Sequence, residues 1–139
     1  MEPVREHYEV DGDNFQLAGQ ASSAMKRVLR SLGVPPDAIR RAAICMYEGE
    51  INMVIHASGG TIDVEFDGLG ILMQLRDRGP GIENPELAMT EGWSTATDSV
   101  RDLGFGAGMG LPNMKRCSDE FSLSSEVGVG TTVIMKIVL

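Results

Sequence analysis

Apolar and polar positions fall along this chain in blocks of different period, and the blocks divide it into elements. Val4 to Val10 reads as a short first strand. Leu17, Ala21, Ala24, Met25, Val28 and Leu32 then recur at three- and four-residue steps, which predicts an amphipathic helix with one buried face. Asp13 and Gln16 stand in capping-box spacing before it, and Gly33 ends it. Val34-Pro35-Pro36-Asp37 is a turn into a second helix, from about Asp37 to Ala57, with a core stripe of Ile39, Ala43, Met46 and Met53. Ile51, Val54 and Ile55 make that helix apolar on more than one side, and Ser58-Gly59-Gly60 terminates it. Gly49 in its interior costs about 1 kcal/mol relative to alanine. Either a neighbour approaches closely there or the glycine is simply tolerated, and the second is the plainer account.

From Thr61 to Asp67, Ile62, Val64 and Phe66 alternate with Asp63, Glu65 and Asp67, so one face of this strand is wet. Gly68-Leu69-Gly70 turns the chain into a partner strand, Ile71 to Asp77, in which Ile71, Met73, Leu75 and Asp77 share a face. A short helix at Pro85 to Met89 and a polar stretch from Gly92 to Leu103 follow. A last helix, Gly110 to Cys117, precedes two strands, Phe121 to Glu126 and Thr131 to Val138, joined by Gly128-Val129-Gly130. The expected fold class is α+β: a two-layer sandwich whose mixed, mainly antiparallel sheet carries its helices on one face.

Composition narrows the class. With 139 residues, 42% of them apolar, and no repeat or linker, the chain is expected to form one domain spanning residues 1–139. No apolar run approaches the roughly 20 residues of a membrane helix, and MEPVREHYEV lacks a signal-peptide core, so a cytoplasmic protein with no membrane contact is expected. Cys45 and Cys117 have no metal-ligand spacing and read as free thiols. A net charge of −8 argues against nucleic acid, whose phosphates need a basic stripe. His7 and His56 read as surface or core residues, and the nine methionines as core filling.

Four motifs carry candidate chemistry. Glu48 and Asn52 lie one turn apart on one helix face, where the amide oxygen would suit Mg²⁺ and the carboxylate would suit a general base. The alternative is a solvated helix face. Asp77, in Asp77-Arg78-Gly79-Pro80-Gly81, ends a strand, where a carboxylate can accept a hydrogen bond from the exocyclic amine of adenine; an ordinary Gly-Pro-Gly turn is the other reading. Gly104, Gly106, Gly108 and Gly110 open a helix whose first turn holds Pro112, an arrangement that presents backbone N–H groups to phosphate or else forms a hinge. No Gly-Lys-Ser/Thr ends that run and no hydrophobic strand precedes it, which excludes a Walker loop and disfavours a dinucleotide βαβ unit. Gly128-Val129-Gly130-Thr131-Thr132 is a tight hairpin that would add the Thr131 hydroxyl beside Asp77 at the base, or else is merely a turn.

In this order the motifs resemble the GHKL (Bergerat-fold) ATPase superfamily of gyrase, MutL and the histidine kinases. Glu48 to Asn52 is similar to its N box, DRGPGI to the G1 box, GFGAGMGL to the G2 box and GVGTT to the G3 region. The wording is closest to bacterial anti-sigma-factor and stressosome-type switch serine/threonine kinases. The resemblance implies Asn52 as the Mg²⁺ ligand, Glu48 as the general base, and Asp77 on the adenine amine with Gly79 and Gly81 lining the pocket. It also implies Gly104, Gly106, Gly108 and Gly110 around the phosphates, Thr131 supporting Asp77, and residues 92–103 as a short ATP lid. Lys115 and Arg116 follow the loop with no direction fixed. No second transducer domain or phosphoacceptor helix pair fits in this length. The expected function is transfer of the ATP γ-phosphate to a Ser or Thr of a small STAS-like antagonist, or binding of a sigma factor or other regulator, with a homodimer as the familiar state. The alternative is a nucleotide-gated binding module without chemistry.

Overall fold

The strand pattern resolves into five strands with one apolar face. In a computed structural model that describes residues 2–12, 17–79, 81, 89 and 110–139, the elements run β1 (Val4–Asp11), α1 (Gln20–Ser31), α2 (Pro36–His56), β2 (Gly59–Phe66), β3 (Gly70–Asp77), α3 (Gly110–Cys117), β4 (Glu120–Glu126) and β5 (Gly130–Val138). The sheet order is β1-β2-β3-β5-β4, and all four pairings are antiparallel, so the mixed character expected of the sheet is not found among the described residues. The two-layer α+β sandwich is found.

Register turns alternation into rows across the sheet. Tyr8, Ile62, Leu75, Val133 and Leu123 form one row, and Glu6, Val64, Met73, Met135 and Phe121 the next. Against this face pack Met25 and Leu29 of α1, Ala42, Met46 and Met53 of α2 and Met114 of α3, all nearly or fully buried. The opposite face is polar: His7, Asp63, Gln74, Ile134 and Ser122 form a row there, beside cross-strand ion pairs Arg5–Glu65 at 3.6 Å and Lys136–Glu120 at 3.9 Å. A sheet covered on one side only is the usual outcome of strict alternation. No helix of the described residues is long and apolar enough to cross a membrane, and Cys45 and Cys117 are free thiols.

Several local expectations change. The first helix begins at Gln20, behind Gly19 in a left-handed conformation (φ +97°), and Leu17 is 39% exposed rather than part of the core stripe. The capping-box residues Asp13 and Gln16 lie outside the described residues. What caps α1 is Glu50 of α2, only 2% exposed, whose carboxylate accepts N–H groups of Gly19 (2.8 Å), Ala21 (3.2 Å) and Ser22 (3.1 Å). The plainer account of Gly49 also gives way. A Cβ there would overlap the Leu75 side chain and lie 3.7 Å from Met114 Sδ, so the glycine lets α2 settle onto β3 and α3. Gly59 and Gly60, expected in the stop after α2, instead open β2.

Candidate functional site

Strand β3 delivers Asp77 at its end, on the side of the buried Ile71, Met73 and Leu75, and the residue is half-buried. Burial pushes its carboxyl above the ordinary range, while backbone hydrogen bonds from Thr131 and Gly79 pull the other way. The Thr131 amide donates to Asp77 Oδ1 at 2.8 Å. This contact depends on Gly130, because a Cβ there would overlap the Asp77 carbonyl oxygen and sit 3.1 Å from Oδ1. The support expected of the Thr131 hydroxyl thus comes from its backbone; the hydroxyl itself pairs with Ser125 Oγ at 3.0 Å. Gly79 rests against Ala57 just past α2, and Gly81 (φ +79°) against the Glu126 carbonyl at the start of the β4–β5 turn. One end of the sheet therefore gathers Asp77, Gly79, Gly81 and Thr131.

The second cluster forms where α3 crosses α2. At Gly110, the first residue of α3, a Cβ would lie 3.2 Å from Asn52 Nδ2, 3.3 Å from Asn52 Oδ1 and 3.4 Å from Glu48 Oε2. Backbone at a helix start is thus brought against the acid and the amide together. Asn113, one turn on, donates from Nδ2 to Glu48 Oε1 at 3.2 Å and accepts from Arg116 at 3.1 Å on its own Oδ1. At the far end of α3, Arg41 of α2 donates to the Cys117 carbonyl and pairs with Asp119, both at 3.0 Å, which fixes the crossing of the two helices.

Asn113 and Glu50 were not singled out from sequence. Asn113 had a signal, since it stands three residues after Gly110 and so on the same helix face. Arg116 is turned toward Asn113, and Lys115 is exposed. His7 lies on the open sheet face between Asp63 and Glu9. Gly104, Gly106 and Gly108, the 92–103 segment, residues 85–88 of the short helix and the side chain of His56 lie outside the described residues. A groove lined from β1, α1 and α2 reaches Glu48 and none of Asn52, Asp77, Gly79, Gly110 or Thr131.

Comparison with known proteins gives the arrangement a family. Residues 13–137 match the histidine kinase-like ATPase domain. The serine/threonine-protein kinase RsbT of Bacillus subtilis is 33% identical over 114 residues, covering 78% of each chain. An anti-sigma F factor of Anoxybacillus flavithermus is 33% identical over 100 residues, which is 72% of this chain and 62% of that protein. Another, of Priestia megaterium, is 31% identical over 117 residues, 84% of this chain and 74% of that one. The match begins just past β1 and runs into β5, so it takes in the three described helices, four of the five strands and both clusters, and with it the chain belongs to the histidine kinase-like ATPase domain family.

Proposed function

We propose that this chain is a cytoplasmic, single-domain regulatory kinase that takes Mg·ATP as substrate and phosphorylates a serine or threonine of a small protein partner. The observation that carries this reading is Gly110 packed against both Glu48 and Asn52, which puts the end of the glycine run at the acid–amide pair. Asp77, held by the Thr131 amide, accepts the exocyclic amine of adenine, with Gly79 and Gly81 beside the base. Gly104, Gly106, Gly108 and Gly110 receive the phosphates on backbone N–H groups.

The donor set at Glu48 and Asn52 fits a magnesium ion. Both offer oxygen, and among the described residues no three His, Cys, Asp or Glu side chains cluster as a dedicated cage. Magnesium is commonly bound that way, by one or two protein oxygens plus substrate phosphate. Asn52 would hold the ion, which supplies charge neutralisation on the phosphates. Glu48, oriented by Asn113, takes the proton of the incoming hydroxyl as its oxygen bonds to the γ-phosphorus and the bond to the β-phosphate oxygen breaks, leaving ADP and a phosphoester.

Names among the relatives support both this reading and its alternative: one is called a serine/threonine kinase, others anti-sigma F factors. In the alternative, nucleotide state gates a protein interface without transfer. Incubation with γ-labelled ATP and candidate STAS-like proteins or sigma factors separates them. Label on a partner, lost in Glu48→Ala with ATP affinity kept, is the kinase result. Partner capture that depends on ATP but leaves the partner unlabelled is the module result. Asn52→Ala should weaken nucleotide binding only when Mg²⁺ is present; equal loss without the metal would remove its assignment as ligand.

A further inference from the structure

Helix α1 carries a charge pattern that the nucleotide site does not use. Between Gln20 and Ser31 it contains three cations, Lys26, Arg27 and Arg30, and no acid, in a chain of 20 acidic and 12 basic residues. Arg30 is one turn from both of the others, so the three repel one another on the helix surface. Among the described residues none of them pairs with a carboxylate, whereas Arg5, Arg40, Arg41, Arg76 and Lys136 all do. Uncompensated repulsion of this kind is relieved when an anionic partner binds.

The cations border the groove between α1 and α2. Val34, Ile39 and Ala43 give it an apolar floor, Tyr47, 41% exposed, stands at one side, and Tyr8 lines it from β1 together with His7 and Glu9, which pair with each other. Arg40, paired with Asp37, also lines the groove, and Glu48 is the last residue of α2 to do so. A chain of twelve helical residues makes α1 about 18 Å long, enough to lie against some three turns of another helix. An apolar floor with charge along its edge suits an amphipathic helix laid lengthwise. Three or four cations on a chain of net charge −8 make a poor track for a nucleic-acid backbone.

We propose that the α1–α2 groove is a docking surface for an acidic amphipathic helix of a protein partner, with Lys26, Arg27 and Arg30 selecting it by charge. Because the groove reaches Glu48, a partner seated there brings a hydroxyl toward the proposed base. That last step rests on the kinase reading; the docking itself does not.

The probe is a fluorescein-labelled peptide of about 14 residues, with leucine at every third or fourth position and glutamate between, titrated against the full chain. Saturable binding is expected, falling at least ~10-fold in Lys26→Glu/Arg30→Glu and weakening with salt. Binding of a fluorescent ATP analogue should be the same in both proteins, which also shows that the variant is folded. Absence of saturable peptide binding, equal binding of the charge-reversed variant, or equal binding of a peptide with lysine for glutamate overturns the proposal. So does displacement of the peptide by a short DNA duplex or phosphatidylserine vesicles at lower concentration than unlabelled peptide. If the wild type binds the peptide in this charge-dependent way but fails to bind the ATP analogue, the docking surface stands and the kinase reading falls.

Discussion

Gly49 and Leu75 pack so closely that the leucine side chain occupies the place where a Cβ on residue 49 would project. Helix propensity and packing therefore oppose each other at this position. Gly49→Ala would gain about 1 kcal/mol in helix propensity, whereas overpacking a core contact costs about 1–3 kcal/mol. Packing should win, because Leu75 is 2% exposed and Met114 closes the other side. Urea unfolding should show net destabilisation; a variant more stable than wild type would mean that Leu75 moves aside freely.

The Glu50 carboxylate joins α2 to the start of α1 through three amide donors. Glu50→Gln keeps the shape but turns an amide NH₂ toward N–H groups that need an acceptor. It also removes a negative charge from a helix N-terminus. A loss of about 1–3 kcal/mol is expected, the usual penalty for leaving buried polar groups unsatisfied. Equilibrium unfolding measures it directly, and a change near zero would show that the three bonds add nothing net.

Asp77 separates stability from function. Its carboxyl is raised by burial, so the folded state favours the protonated form, and the stability this group contributes declines as pH rises from the unfolded value through the folded one. Asp77→Asn removes that penalty and leaves an oxygen for the Thr131 amide. Stability should hold or rise by less than about 1 kcal/mol, a small figure because solvent screens a half-exposed group. ATP affinity should fall at least ~10-fold and discrimination against GTP should narrow. Unchanged nucleotide affinity would dismiss Asp77 as the base-reading group.

Much of this was legible in local pattern. Ile62, Val64 and Phe66 announced their strand because period-two burial is a local property, and the placement of Asp77 on the face of Leu75 followed from it. Glu50 was not legible: it occupies a core-facing position between Met46 and Met53, and its partners lie 28 to 31 residues away. The same holds for the pairing of β3 with β5, which no local periodicity encodes. Candidate site residues were proposed from motif order, and Thr131 was expected to act through its hydroxyl, whereas it is the backbone amide that reaches Asp77. Sequence shows a hydroxyl, whereas which backbone amide points at Asp77 is decided by the close approach at Gly130.

His7 gives the open face of the sheet a pH dependence independent of the nucleotide site. Its Nδ1 lies 2.6 Å from Asp63 Oδ1 and its Nε2 3.1 Å from Glu9 Oε1. The hydrogen bond to Asp63, then that to Glu9, raises its pKa above the ordinary 6.5. A histidine raised on folding contributes stability that is fully present below the unfolded value and is lost as pH rises through the folded one. The stability difference between wild type and His7→Gln should therefore be largest near pH 5.5 and shrink toward about pH 8.5. Because β1 pairs only with β2 among the described residues, the effect should appear as fraying of β1, read by faster amide exchange at residues 4–11 as pH rises, once intrinsic exchange is corrected for. A difference that is flat or grows with pH would show that Asp63 and Glu9 do not hold the proton on His7.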